Sequence, residues 1–184
     1  MKQLLIPALS LLVAATAGAA SAADVKAGLK TGDFVDAFNV YDCTGEKKGE
    51  TLCYRCRYGG RPVVSIFARK LDDKLMKLVQ EVDAAVGEHK DEQLAALVVL
   101  LTDDPDAAEK DLVALAEKHK IKHTPLTTFD GEAGPPEYKL NKDAEVTVLM
   151  WNQSKVKSNH GFEKGQLDDK AIETLLKQAE KLTE

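Results

Sequence analysis

The sequence lacks the features of several common functional classes. No run of basic residues is interleaved with aromatic ones, which argues against nucleic-acid binding. No Ser/His/Asp constellation is evident, and the glycine-containing stretches YGG and GEAG lack the strand-to-helix context of a phosphate-binding loop. No internal repeat or low-complexity block is visible. We therefore predict neither a nucleic-acid partner nor a cofactor.

A hydrophobic segment long enough to span a bilayer comfortably is also missing. Residues 4–15 are apolar, follow Lys2 and precede the small residues of Ala20-Ser21-Ala22, which is the pattern of a cleaved export signal. No cysteine comes directly after the apolar run, which argues against a lipid anchor. We therefore predict a signal peptide over residues 1–23 and a domain over residues 24–184. The mature protein would be periplasmic or extracellular, with no membrane span.

The mature chain is of a size and charge suited to one domain. The 161 residues that remain can bury a real core. The full chain is mildly acidic, with 30 Asp and Glu against 25 Lys and Arg. The charges are spread along the chain, and the stretches DDPDAAEKD and EKLTE are interpreted as solvated helix ends and not as charged tails.

The hydrophobic pattern predicts strands and helices in alternation. An N-terminal hairpin is expected over residues 38–43 and 51–54, because its turn holds Gly45, Gly49 and several charges. Apolar runs predict buried strands, and apolar positions three to four residues apart predict amphipathic helices. The predicted strands are VVSIF (63–67), LAALVVLLT (94–102), TPLTTF (124–129), EVTVLMW (145–151) and KVKSNHGF (155–162); the predicted helices cover residues 71–86, 103–119 and 167–182, with Asp104 and Asp168 as N-caps.

This order of elements predicts an α/β protein with a mixed central sheet and helices on both faces. The first two core strands are joined by a helix, so we expect them to be parallel with a right-handed crossover. The last two strands are separated by the short polar turn Asn152-Gln153-Ser154, so they should be antiparallel.

The order of elements resembles the thioredoxin fold, and its leading hairpin resembles the peroxiredoxin and TlpA-like branches. The stretches LCYRCRYGGRPVVSIFAR, KDAEVTVLMW and VKSNHGF are similar to a group of exported thioredoxin-like proteins common in planctomycete bacteria. That group has a C-x-x-C pair just ahead of the first core strand. The resemblance covers roughly residues 38–182 and implies a thioredoxin-like domain.

Two departures from the fold's usual active site stand out. Active thioredoxins carry the C-x-x-C pair after the first core strand, where a helix N-terminus lowers the thiol pKa. Here that position reads ARKLDD (68–73), which has no cysteine, so peroxide reduction by the usual machinery is not expected. The family's proline before the third core strand is also missing near residues 144–146. In a rival alignment, IKHTPLTTFDGEA contains that strand and Pro125 is that proline, but residues 145–162 are then left outside the fold.

The candidate site residues are Cys53 and Cys56, which precede the first core strand. Side chains three apart in a straight strand point to opposite faces, but in a turn their Cα atoms can come within about 4.4–6.8 Å and bridge. The following RYGGRP stretch favours a turn. As catalytic residues, the pair would exchange disulfides with a partner protein's thiol or disulfide, supported electrostatically by Arg55, Arg57 and Arg61.

Two other roles for the pair stay open. The pair could be a structural clip that braces the hairpin, and Cys43, on the opposite arm, could compete as the partner of Cys53. It could also be half of a zinc or copper carrier site, with Cys43 as third ligand and a histidine such as His160 as fourth. The sequence does not reveal the substrate or the oligomeric state.

Overall fold

A computed structural model describes residues 28–184. The predicted signal peptide over residues 1–23 lies outside the described residues. Within them, no helix is both long and apolar enough to cross a membrane.

Among the described residues, seven strands and three long helices follow one another in the order that the hydrophobic pattern predicts, and one short helix was not predicted. The strands are β1 (Val40–Asp42), β2 (Thr51–Leu52), β3 (Val63–Ala68), β4 (Ala95–Thr102), β5 (Leu126–Asp130), β6 (Val146–Asn152) and β7 (Lys155–Phe162). The helices are α1 (Tyr54–Tyr58), α2 (Asp73–Glu88), α3 (Pro105–His119) and α4 (Asp169–Lys181), with a single 3-10 turn at Pro136–Tyr138.

The strands form one mixed sheet in the order β2-β1-β5-β4-β3-β6-β7. β3, β4 and β5 are parallel neighbours, whereas β6 runs antiparallel to β3, and β7 antiparallel to β6. Pro125 directly precedes β5, which pairs with β4 and not with β3. The rival alignment leaves residues 145–162 outside the fold, but these residues contain β6 and β7, and β6 pairs with β3, so that alignment is wrong.

Aspartates define the starts of the three long helices. The side chain of Asp104 accepts a 3.1 Å hydrogen bond from the Ala107 amide, and Asp168 caps α4 in the same way. Both caps confirm the sequence prediction. Asp72 caps α2 through a 2.8 Å bond from the Leu75 amide. Each carboxylate satisfies an amide that has no partner within its own helix.

The two faces of the sheet are covered unequally. All six residues of β3 are buried, because alternate side chains pack into two separate hydrophobic clusters. The first cluster contains the buried residues of α2, α3 and α4, so the three long helices share one face. The second face is covered by α1, the 3-10 turn and residues 28–37, which form the lead-in segment ahead of the hairpin; they contribute Leu29, Val35, Tyr54 and Tyr138. Helices therefore flank both faces, but only short ones lie on the second.

The polar lead-in segment joins the sheet at the edge opposite the hairpin. The Gly32 amide donates a 2.9 Å hydrogen bond to the Val156 carbonyl, and the Val156 amide donates to the Asp33 carbonyl at 3.0 Å. This pairing covers the start of the β7 edge and places Phe34 beside Lys155.

Candidate functional site

The C-x-x-C pair lies at the start of the short helix α1. The second hairpin arm is shorter than predicted: β2 ends at Leu52, Cys53 is the N-cap, and Tyr54 is the first helical residue. The predicted extended arm over residues 51–54 is therefore wrong at its end. A helical turn brings residues three apart onto neighbouring positions, which is the condition that the pair needs in order to bridge.

The structure pairs Cys53 with Cys56 in a disulfide. Their Cα atoms are 5.2 Å apart, within the range that bridges require. Cys56 is exposed, whereas Cys53 is half-buried. The Cys56 amide also donates a 3.0 Å hydrogen bond to the Cys53 Sγ atom. Cys56 is thus the more exposed residue of the pair, and Cys53 is the one whose sulfur accepts a hydrogen bond from the backbone.

A buried tyrosine holds α1 to the hairpin. Tyr54 is 4% exposed, and its hydroxyl donates a 2.7 Å hydrogen bond to Oδ2 of Asp42, which is fully buried. Asp42 also accepts bonds from the Gly45 and Lys47 amides in the hairpin turn, at 2.6 and 2.9 Å. Burial, followed by this bond to Asp42, raises the pKa of Tyr54. One carboxylate therefore fixes both the turn and the helix that carries the disulfide.

The three arginines around the pair each have a defined partner. Arg55 donates from Nε to the Val35 carbonyl at 2.8 Å, and its guanidinium lies 4.9 Å from the centre of the Phe34 ring. Arg57 pairs with an exposed carboxylate, Glu46, at 3.2 Å. Arg55 lies between the two cysteines in sequence and has no carboxylate partner among the described residues. It is therefore the positive residue of α1 that is adjacent to the pair in sequence and is not paired with an acid.

Arg61 and Tyr58 connect α1 to the end of the sheet at which β4 begins. The Tyr58 hydroxyl donates to the Ala96 carbonyl at 2.9 Å, and Arg61 Nε donates to the Gln93 carbonyl at 2.8 Å. α2 instead begins after the last residue of β3, on the other face of the sheet. The positive N-terminal end of the α2 dipole is therefore not in a position to stabilise a thiolate of the pair.

The position after β3, where active thioredoxins carry their cysteines, has a structural role here. Arg69 donates from Nε to the Glu132 carbonyl at 3.0 Å and from Nη1 to the Asn141 and Ala144 carbonyls. Asp72 caps α2, as described above. These side chains hold loops together and supply no thiol.

Cys43 is separated from the other two cysteines. It is fully buried in the cluster formed by the long helices, whereas Tyr54, next to Cys53, belongs to the cluster on the other face. Burial, and then the nearby Glu109 carboxylate, raise the pKa of the Cys43 thiol to about 11. The alternative pairing of Cys43 with Cys53 is therefore wrong.

The arrangement required for a metal carrier is not found in residues 28–184. Nowhere among them do three His, Cys, Asp or Glu side chains come together in a way that could hold a metal ion. Cys43 is not brought to the pair as a third ligand. His160, the histidine considered as a fourth ligand, lies 2.8 Å from the Gln178 side chain on α4.

Sequence reasoning found the cysteine pair but missed the residues that hold it. Asp42 and Tyr54 are 12 residues apart, and neither belongs to a recognisable motif. The available signal was an acid just before a glycine-containing turn, which is typical of a side chain that binds turn amides.

Comparisons with known proteins agree with this architecture. A scan against protein-family profiles and a search of curated proteins found no match. Among solved structures, a protein from Chlorobium tepidum described as the thiol:disulfide interchange protein DsbE is similar with a TM-score of 0.66 and 16% identity, over 85% of this chain and 99% of that one. Peroxidoxin BcpB from Mycobacterium tuberculosis is similar with a TM-score of 0.58 and 20% identity, over 82% and 97%.

A third solved structure points the same way. It is a protein from Bacteroides thetaiotaomicron described as a protein disulfide isomerase, with a TM-score of 0.64 and 15% identity over 86% of this chain and 94% of that one. At these identities the likeness concerns the fold and not the activity. Together with the mixed seven-stranded sheet and its flanking helices, these likenesses show that the chain has a thioredoxin-like fold with a C-x-x-C disulfide.

Proposed function

We propose that this protein exchanges disulfides with partner proteins through Cys53 and Cys56. The observation that carries the proposal is the asymmetry of the pair. Cys56 is exposed, and Cys53 is half-buried with its Sγ atom 3.0 Å from the Cys56 amide. Attack on a disulfide needs one accessible sulfur and one good leaving thiolate, and a hydrogen bond to a thiolate lowers its pKa.

The asymmetry gives the exchange a direction. A partner thiolate attacks Cys56 Sγ, the bond between the two sulfurs breaks, and the electron pair leaves on Cys53 Sγ. The Cys56 amide stabilises that thiolate by its hydrogen bond to Cys53 Sγ. A second partner thiolate then attacks the partner's own sulfur and releases Cys56. The partner loses two electrons, and the pair gains them; with a disulfide-bonded partner, the same steps run in reverse.

Trapping experiments test this direction. In Cys53→Ser the resolving sulfur is gone, so the Cys56 thiolate should attack a disulfide-bonded protein substrate and the mixed disulfide on Cys56 should accumulate. Cys56→Ser should form far less of the mixed disulfide, because Cys53, its remaining cysteine of the pair, is half-buried. Cys43→Ala is the matched control and should retain full activity. Equal trapping by both serine variants, or no exchange activity in the unmodified protein, would contradict the proposal.

A second candidate function is a structural clip. It is favoured by the position of α1 on the face of the sheet opposite α2, and by the firm attachment of α1 through Tyr54. Equilibrium with glutathione buffers separates the two functions. A potential well below about −300 mV is typical of a structural bridge, whereas a value above it is expected for an exchanging pair.

We also propose that the protein acts outside the cytoplasm and is not a peroxidase. The support for export is the leader pattern in residues 1–23, and the support against peroxidase chemistry is the absence of cysteine from residues 68–73. Mass measurement of the protein from its host should give a chain that begins at residue 23 or 24. An uncut chain in the cytoplasm, or thiol-dependent consumption of hydrogen peroxide, would contradict the respective statement.

A further inference from the structure

A cleft of about 650 Å³ lies beside α1. It is bordered by α1, the hairpin turn and the loops that precede β4 and β5. Its volume is within the range of about 300–1,000 Å³ that is usual for small-molecule sites. Neither cysteine lines it. Apolar and aromatic side chains form part of its wall, including Tyr54, Tyr58, Leu94, Ile121 and Pro125.

The charged side chains of the cleft have the opposite balance to the chain as a whole. The chain has more acids than bases, with a net charge of −5. The cleft is lined by four positive side chains, from Arg57, Arg61, Lys90 and Lys122, and by one negative side chain, from Glu46. A concave surface with an excess of one sign concentrates the electrostatic field and attracts ions of the other sign.

Two of the four positive side chains form no ion pair within the described residues, and we call these charges uncommitted. Arg61 is oriented by carbonyl oxygens, and Arg57 pairs with Glu46, whose side chain is 87% exposed. Lys90 and Lys122 are exposed, and within residues 28–184 neither ammonium group has an ion-pair partner. Both lysines can therefore contact a ligand without breaking an existing interaction.

His123, which also lines the cleft, is held in place by close packing and by a hydrogen bond from its backbone amide. The His123 ring packs closely against Gly87. A Cβ atom added to Gly87 would lie only 3.0 Å from Cδ2 of His123. The amides of Lys122, His123 and Thr124 all donate to the Asp83 carboxylate. The loop that carries Lys122 is thus fixed before any ligand arrives, which reduces the entropic cost of binding.

We propose that this cleft binds a small organic anion that carries carboxylate or phosphate groups. Arginine presents its N–H groups in a planar fork that matches either group, and lysine supplies point charges. The apolar part of the wall accommodates the ligand's carbon skeleton. The proposed ligand would not contact the disulfide through this site, because neither sulfur lines the cleft.

Titration calorimetry with citrate and with inorganic phosphate as probes tests the site, at constant ionic strength set with chloride. We expect saturable binding of at least one probe, and the stronger of the two identifies carboxylate or phosphate as the preferred group. Reversal of both uncommitted charges, in Lys90→Glu/Lys122→Glu, should weaken binding about tenfold or more, because two attractions become repulsions.

The matched control is Lys110→Glu/Lys164→Glu, which makes the same change of charge at exposed positions outside the cleft. It should bind the probes as the unmodified protein does. Lys90→Gln/Lys122→Gln, which removes the charges without reversing them, should lie between the two. Failure of both probes to saturate, or equal weakening by the cleft and control variants, would overturn the proposal.

Discussion

The Tyr54 hydroxyl donates a 2.7 Å hydrogen bond to Oδ2 of Asp42, and this contact joins the disulfide-bearing helix to the hairpin. The acceptor is a fully buried carboxylate that also binds turn amides. A buried charge that loses a donor is costly. The contact is therefore expected to matter more for stability than the exposed ion pairs of the surface.

Removal of that hydroxyl is the first prediction. Tyr54→Phe should lower the free energy of unfolding by about 1–3 kcal/mol, because Asp42 loses a partner that water cannot replace. Tyr58→Phe is the control, since its hydroxyl binds only the neutral Ala96 carbonyl and should cost less, on the order of 1 kcal/mol. Urea unfolding of the oxidised proteins measures both. Equal losses in the free energy of unfolding would show that the hydrogen bond to the charged Asp42 stabilises the protein no more than the bond to the neutral Ala96 carbonyl.

The second prediction concerns the glycine beside this contact. A Cβ on Gly45 would collide with the Tyr54 hydroxyl and would lie 2.7 Å from Oδ2 of Asp42. Gly45→Ala should therefore destabilise the protein by about 1–3 kcal/mol. Gly60→Ala is the matched control, because no atom lies within 4 Å of a Cβ there.

A double variant locates the source of the Gly45 effect. If the collision with the hydroxyl causes the loss, Gly45→Ala should cost less in the Tyr54→Phe background than alone, since the hydroxyl is then missing. Strict additivity of the two changes in urea unfolding would instead assign the loss to the close approach of the new Cβ to the Asp42 carboxylate.

The sequence predicts the large elements well because each one carries a periodic signal. β3 is buried on both faces, so it reads as an unbroken apolar run, and α2 repeats apolar residues every three to four positions. α1 has five residues, too few for a period to be visible, and its anchor at Asp42 is 12 residues away. The helix that positions the candidate site was therefore the element that the pattern could not predict.

The unequal covering of the sheet has a different cause. The chain moves from β3 to β4 to β5 in one direction across the sheet. Since each crossover is right-handed, two crossovers in the same direction place both helices on the same face. The sequence predicts the crossovers but not the order of the strands. This is why the sequence predicts helices on both faces but not that the three long helices share one face.

The third prediction is a pH dependence caused by Cys43. Its thiol has a folded pKa of about 11 against an ordinary value of 9.0, chiefly because it is buried. Between these two values the unfolded chain releases the proton and the folded chain keeps it, so stability must fall as pH rises. Below pH 9 this contribution is constant.

Comparison of two proteins isolates that effect. The raised pKa values of Tyr54, Tyr58 and Tyr138 act in the same direction, but they are common to the protein and to its Cys43→Ala variant. The free energy of unfolding should therefore fall less steeply in the variant between pH 9 and 11. Parallel pH profiles would show that Cys43 ionises equally well in the folded state.

The fourth prediction concerns Asp83, which is 7% exposed and accepts hydrogen bonds from the His123 and Thr124 amides at 2.7 and 2.8 Å. Asp83→Asn removes the charge and leaves one acceptor oxygen, so we expect a loss of about 1–3 kcal/mol in urea unfolding. Glu81→Gln, an exposed change on the same helix, should have almost no effect on the free energy of unfolding.

The same Asp83 variant also tests the cleft. Because the Asp83 carboxylate fixes the loop that carries Lys122, Asp83→Asn should weaken citrate or phosphate binding while leaving disulfide exchange intact. Loss of exchange together with binding would mean that the cleft and α1 act as one unit.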